Sequence, residues 1–214
     1  MSLRTIETEK DLTEGLSFIC AREPRFQKVL NATGLPPLRR KPGGLPGLLE
    51  IITEQQISIH AAAAIWSRME AKFAPFDAEK MIEADDEQYA ECGQSQPKIR
   101  TIRAVLQAIN NGKLSLTNLQ FAENSEVFST LTAIKGIGPW TAQIYLLTNL
   151  GRIDIWPVGD LALQESTRLL FDLENRPDEK LMQALAEPWQ PWRAVAARLL
   201  WSHYRLVRIE GGQI

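Results

Sequence analysis

Helical spacing runs through almost the whole of this sequence, and no stretch of any length alternates apolar and polar residues as a half-buried strand would. The spacing predicts helices at about 9–20, 46–70, 78–91, 96–110, 124–133, 139–149, 160–173, 178–186 and 191–208. Residues 96–110 illustrate it: Ile99, Ile102, Leu106 and Ile109 share one face, and Ser95 stands where an N-cap belongs. Pro139 and Pro191 each suit the first position of a helix. The expected fold class is therefore all-α, with helix packed on helix. Two stretches interrupt the pattern. Residues 33–47 hold four prolines and four glycines and read as a non-helical connector. Residues 149–159, NLGRIDIWPVG, form the second break. Together they predict two lobes: a central helical domain over 44–152, and a second helical domain assembled from 1–43 and 153–214.

Composition excludes several classes. Hydrophobic residues make up 44% of the 214 and charged residues 23%, which is ordinary for a globular chain and unlike a disordered or fibrous one. Two cysteines, Cys20 and Cys92, cannot supply a disulfide framework or a four-cysteine metal site. No apolar run reaches the roughly 18 residues of a membrane span, and the N-terminus is too polar for a signal peptide. These features predict a soluble, cytoplasmic protein without a membrane partner. The lone histidines support no metal site: His60 sits among alanines, and His203 falls on an apolar stripe.

A net charge of −2 argues weakly against a polyanionic partner, but distribution matters more than the sum. Seven acids crowd residues 76–91, whereas 92–113 and 188–209 each carry four bases and no acid, and 22–41 carry six bases against one acid. Solvated helix faces are the plainer explanation of these stretches. Lys98, Arg100 and Arg103 are candidate contacts to a phosphate backbone.

The most informative stretch is Leu131-Thr-Ala-Ile-Lys-Gly-Ile-Gly-Pro-Trp-Thr-Ala142. One helix ends near Ala133 and another begins at Pro139. Gly136 and Gly138 permit a tight turn and leave amides exposed at the second helix's N-terminus, where the helix dipole also favours an anion. Ile134 and Ile137 would plug the hairpin into the core. An ordinary helix–helix corner with glycine caps is the alternative. About twenty residues on, Ile153-Asp-Ile-Trp-Pro-Val-Gly-Asp160 places a carboxylate at the start of the next helix. Asp160 could simply be an N-cap. Asp154, before the loop proline, is a competing carboxylate.

The full string hydrophobic-x-Gly-Ile-Gly-Pro-Trp-Thr-Ala, with Asp160 downstream, resembles the helix-hairpin-helix of the base-excision DNA glycosylase superfamily. The resemblance covers roughly residues 44–208 and implies a two-lobed fold with the active-site cleft between the lobes. It implies that the amides of Gly136, Gly138 and Thr141 hold DNA phosphate. It implies that the carbonyls of Thr132, Ile134 and Ile137 hold a sodium or potassium ion when DNA is bound, with no other cofactor required. It makes Asp160 the catalytic carboxylate, stabilising oxocarbenium-like charge on the sugar and orienting water. Members that also nick the strand carry a lysine two residues after the second hairpin glycine; here that position is Trp140, which implies a monofunctional enzyme using water. The four-cysteine iron–sulfur loop of other branches is absent from the sequence.

Trp140 is similar to the alkylpurine branch, the bacterial 3-methyladenine DNA glycosylase II type, without its N-terminal β-rich lobe. Glu50-Ile-Ile-Thr-Glu-Gln-Gln-Ile-Ser58 resembles that branch's early helix, and Pro191-Trp-Arg…Trp201 its final helix. By position, Trp140, Trp201, Gln55, Ile144 and Tyr145 would line the base pocket, and Gln56 would be the wedge that fills the space left by the flipped nucleotide. Ile144 stands where the type enzyme has an aromatic residue, with Tyr145 one place off, and Gln56 where it has an apolar wedge. Indole faces attract cations, so a pocket walled by Trp140 and Trp201 would favour an N-methylated, positively charged purine. Trp201 falls off the stripe of Val195, Leu199, His203 and Leu206, which suits a partly exposed pocket; a buried inter-helix seam is the alternative. Trp66 and Trp192 read as core. The expected activity is release of alkylated purines from damaged double-stranded DNA, leaving an abasic site, by a monomer acting on the nucleoid in the first step of base excision repair. A bifunctional glycosylase/lyase and a non-catalytic DNA-binding module are the rival readings.

Overall fold

The computed structural model describes residues 3–210. In chain order its helices are α1 (Glu9–Arg22), α2 (Arg25–Thr33), α3 (Gly44–Glu54), α4 (Ile59–Phe73), α5 (Ala78–Glu83), α6 (Asp86–Glu91), α7 (Gln96–Asn110), α8 (Leu116–Leu119), α9 (Asn124–Thr132), α10 (Pro139–Ile144), α11 (Leu161–Leu170), α12 (Glu179–Ala186) and α13 (Arg193–Glu210). Among the described residues the only β pairing is an isolated antiparallel bridge between Thr5 and Arg152. No described helix is long and apolar enough to cross a membrane.

The chain divides into two compact units: Lys41–Leu150, and the residues up to Arg40 together with those from Gly151 onward. In the terminal unit α13 is the central element, packed by α11, α2 and α1. Phe26, Ile19, Val195 and Leu199 fill its core, and Trp189 stands edge-on to both Phe26 and Trp156. In the central unit α3 takes that role, packed by α4, α7 and α8 around Leu48, Ile51, Ile52, Ile99 and Ile102.

Short polar side chains start most of these helices. Thr8 and Asp11 form a reciprocal capping box on α1, and Thr8 holds the Asp11 carboxyl below its usual range. Ser58, Asp77, Asp85, Asp160 and Asp178 each accept a backbone N–H from the helix they open. Ser95 stands at the start of α7 but makes no side-chain cap.

Five features depart from the periodicity. The span 46–70 is two helices, because Ser58 caps a second one and Gln56 lies at φ +55 between them. The span 78–91 is likewise split, at Asp85. The proline–glycine connector gives way to helix at Gly44: Pro46 falls in the first turn, where its missing N–H leaves no bond unmade. Gly47 is needed there, since a Cβ would stand 2.0 Å from both the Asn149 side chain and the Pro42 carbonyl. Helix α2 lies outside the predicted spans, although Phe26, Val29 and Leu30 have helical spacing and Phe26 and Val29 are buried. Pro191 precedes α13 rather than opening it.

Candidate functional site

Unit by unit, the structure assembles two groups of the singled-out residues. The first is the hairpin of the central unit. Helix α9 closes with Ala133, Ile134 donates its amide to Leu131, and Ile137 donates to the Ile134 carbonyl at 3.0 Å. Ile137 is buried and anchors the turn, while Ile134, expected to do the same, is half-exposed. Gly136 takes φ +93, and a Cβ on it would lie 2.0 Å from Thr101 Oγ1, so both conformation and packing require glycine. Gly138 differs. Its φ of −91 is open to any residue, and nothing lies within 4 Å of where its Cβ would be. Fold alone gives no reason for glycine there.

Helix α10 starts with Pro139 at its first position and has no side-chain cap. Its first intrahelical bond is from the Ala142 amide to the Gly138 carbonyl. The amides of Gly136, Gly138 and Thr141 donate to nothing among the described residues. The Thr141 side chain is buried, and its hydroxyl accepts from Gln55 Nε2 at 2.7 Å. Gln55 thereby ties the end of α3 to the hairpin. Beyond it the backbone turns through left-handed Gln56, which is exposed, followed by exposed Ile57 and Ile59. The two isoleucines were not singled out from the sequence. Their exposure is invisible as long as 46–70 is read as one amphipathic helix.

Tyr145 is not a pocket residue. From Tyr145 to Asn149 the chain makes a π-helical turn, in which Leu150 donates to the Tyr145 carbonyl, and all five of its residues are buried. Tyr145 lies in the core, where its hydroxyl accepts the Gly44 amide at 3.2 Å. Burial raises the Tyr145 hydroxyl's pKa. Ile144, just before the turn, is 5% exposed. Trp140, the second residue of α10, is half-buried.

Two of the candidate phosphate contacts are occupied within the central unit. Lys98 donates to the Thr53 carbonyl at the end of α3 at 2.6 Å, and burial lowers its pKa. Arg103 pairs with Asp86 at 2.9 Å and donates to the carbonyls of Ile82 and Ala84. Arg100 is exposed and has no partner among the described residues. Trp66, expected in the core, is half-buried and stacked on Phe76 with centroids 5.1 Å apart.

The second group lies in the terminal unit. Asp160 is 8% exposed and opens α11: its Oδ1 accepts the Leu163 amide at 2.9 Å and Trp201 Nε1 at 3.2 Å. It is an N-cap, and it also carries an indole N–H from α13. The two donors fix the direction of the carboxylate. Trp201 is half-buried, and the Arg39 guanidinium lies over its ring, 5.4 Å from the centroid. The competing carboxylate, Asp154, is engaged by Arg193 through bonds of 2.6 and 2.8 Å, which gives it a structural role. Arg198 lies three residues before Trp201 on α13. It is fully buried, donating to the Leu38 carbonyl at 2.7 Å and the Ala194 carbonyl at 2.9 Å, and burial with Arg40 and Arg39 nearby lowers its pKa to about 9. His203 accepts or donates one bond with Ser166 at 2.9 Å, and Trp192 and Trp156 are buried. No described cluster of His, Cys, Asp or Glu could hold a metal ion.

A helix–glycine turn–helix with free amides in one unit, and a helix-capping carboxylate bonded to an indole N–H in the other, define a helix-hairpin-helix protein with a candidate hydrolytic site. Comparison with known families agrees: residues 49–191 match the HhH-GPD superfamily of base excision DNA repair proteins, and the chain belongs to that superfamily. Among curated proteins it is 30% identical over 207 residues to the alkylbase DNA glycosidase-like protein mag2 of Schizosaccharomyces pombe, covering 94% of this chain and 97% of that one. Among solved structures it is similar to a DNA-3-methyladenine glycosidase from Bacillus halodurans, at 34% identity and a TM-score of 0.77, covering 92% of this chain and 91% of the other. It is also similar to the S. pombe 3-methyladenine DNA glycosylase Mag1 in complex with abasic DNA, at 25% identity and a TM-score of 0.82, covering 88% and 95%.

Proposed function

We propose that this protein is a monofunctional DNA glycosylase that hydrolyses the N-glycosidic bond of alkylated purines of the 3-methyladenine type in duplex DNA, leaving an abasic site. The observation that carries this reading is the Asp160 carboxylate, nine-tenths buried and aimed by the Leu163 amide and the Trp201 indole. A carboxylate so held stabilises positive charge developing on the sugar at no reorganisation cost during the reaction. As the C1′–N bond breaks, its electron pair passes to the base, which leaves neutral if it was cationic. A water oxygen bonds to C1′, and the proton it sheds passes to Asp160 and then to solvent. Trp140 stands at the position where a strand-nicking relative would carry its lysine, so no amine is placed to form a Schiff base.

The hairpin supplies the grip. The amides of Gly136, Gly138 and Thr141 face an incoming phosphate, and the bare Cα of Gly138 lets the DNA backbone approach. The carbonyls of Thr132, Ile134 and Ile137 would hold a monovalent cation. Neutral carbonyls without a carboxylate suit a singly charged ion, and Ile134 retains a second lone pair beside its bond to Ile137. The left-handed turn at Gln56 is the proposed wedge, with Ile57 and Ile59 adding apolar surface for an unstacked base step. The half-buried indoles of Trp140 and Trp201 offer faces on which a base can stack.

The test is single-turnover release of 3-methyladenine from methylated duplex DNA by wild type and Asp160→Asn. Asparagine caps a helix as well as aspartate does, so the variant is expected to fold. Release without nicking by wild type, slowed by orders of magnitude in the variant, supports the reading. Equal rates would refute the role of Asp160, and trapping of the wild type on DNA by borohydride would favour a lyase instead.

A further inference from the structure

The short stretch Leu38–Arg39–Arg40 is held on both sides. The Leu38 carbonyl takes the buried Arg198 Nε at 2.7 Å. Arg40 pairs with Glu7 through two bonds of 3.2 Å, and its guanidinium lies 2.9 Å from where a Cβ on Gly151 would be. Between these anchors Arg39 adopts φ +50, a conformation that a side-chain-bearing residue adopts only when its surroundings impose it. Its guanidinium lies over Trp201, whose indole N–H reaches Asp160. Cation, indole and carboxylate thus form one series within a single unit.

We propose that Arg39 is a specificity-determining residue of the Asp160–Trp201 site, one that disfavours bases already carrying positive charge and widens the site toward neutral adduct bases. The proposal rests on the glycosylase reading and refines its substrate class. An indole attracts a cationic base through the negative potential of its face. If a base stacks on the face that Arg39 covers, a cationic base must displace the guanidinium or meet its charge. If it stacks on the opposite face, the guanidinium behind the ring draws off the same potential. A neutral base meets neither penalty. When its C1′–N bond breaks, the electron pair leaves negative charge on the departing base, and a nearby guanidinium stabilises that charge in the transition state. Both effects lower the preference for cationic bases that the Trp201 face alone would produce.

The experiment measures single-turnover release of 7-methylguanine, which is cationic in DNA, and of hypoxanthine, which is neutral, from duplexes of otherwise identical sequence. Wild type, Arg39→Gln and Arg39→Lys are compared. The ratio of the cationic-base rate to the neutral-base rate is expected to rise about tenfold in Arg39→Gln and to stay near wild type in Arg39→Lys, which keeps the charge. A ratio unchanged within about twofold in Arg39→Gln overturns the proposal, as do parallel losses on both bases, which would make Arg39 a backbone contact. A wild type that releases only the cationic base overturns it while leaving the glycosylase reading intact. A wild type that releases neither refutes both.

Discussion

Alanine at each of the two hairpin glycines should produce opposite phenotypes. At Gly136 the new methyl would stand 2.0 Å from Thr101 Oγ1 and 2.9 Å from Thr101 Cβ, on backbone at φ +93. Thr101 cannot easily yield, since it is buried and its hydroxyl is bonded to the Pro97 carbonyl at 3.1 Å. The left-handed backbone costs alanine about 1–2 kcal/mol, and the overpacking about 1–3 kcal/mol more. In a chain of this length each kcal/mol moves Tm by about 2–4 °C, so Gly136→Ala should lower Tm by about 4–20 °C. At Gly138 the methyl enters open space at φ −91, and the change costs only the small difference between glycine and alanine at an N-cap, about 0.5–1 kcal/mol. Its effect should fall on DNA. A methyl in the path of the phosphate forfeits a charge-assisted bond of about 1.5–3 kcal/mol, weakening binding roughly 10- to 100-fold. Differential scanning calorimetry reads the first quantity. Fluorescence anisotropy on a labelled abasic-site duplex at fixed salt reads the second. If Gly138→Ala binds as wild type does, the phosphate does not approach this glycine and the reasoning fails; if it melts as early as Gly136→Ala, the open space beside it is not real.

Three further outcomes follow from the same geometry. Trp201→Phe keeps an aromatic face and removes the N–H on Asp160, so base release should slow about tenfold or more while stability falls by only about 1 kcal/mol; an unchanged rate would show that the indole N–H does not aim the carboxylate. Arg100→Ala should reduce the slope of log affinity against log salt by about one with no change in Tm, whereas Arg103→Ala should lower Tm and leave the slope alone; the reverse pattern would mean their roles are exchanged. The Asp11 carboxyl titrates below its unfolded value of 3.8. It therefore contributes stability that is present above that value and is lost as pH falls through the folded one. The Tm advantage of wild type over Asp11→Asn should be full at pH 7 and vanish toward pH 2, and an advantage independent of pH would contradict the capping role.

Much of this was legible locally. The 3.6-residue period exposed the buried stripes of α7 and α13, and a carboxylate three residues ahead of a free amide marked the start of α11 at Asp160. The hairpin was readable because its signal is a contiguous string in which each residue acts on its neighbours. Glycine permits the turn, Ile137 plugs it into the core, and proline opens the next helix. Where local rules failed, a competing local force or a distant partner had intervened. Ser58 broke a helix that the apolar pattern would have continued through Gln56, and packing against α3 took Tyr145 into the core, where its hydroxyl meets an amide 101 residues away.

The sequence by itself therefore determined the all-helical class, the hairpin and the acid at the head of α11, because each rests on interactions among neighbours in the chain. Only the tertiary structure decided which side chains meet. Trp201 reaches Asp160 from 41 residues away, Gln55 reaches Thr141 across 86, and Arg198 reaches the Leu38 carbonyl across 160. It decided, too, that packing requires glycine at Gly136, while the fold makes no such demand at Gly138. Spacing along a helix says which way a side chain points; what it points at is set by how whole helices pack, a sum over many distant contacts that no short stretch of sequence contains.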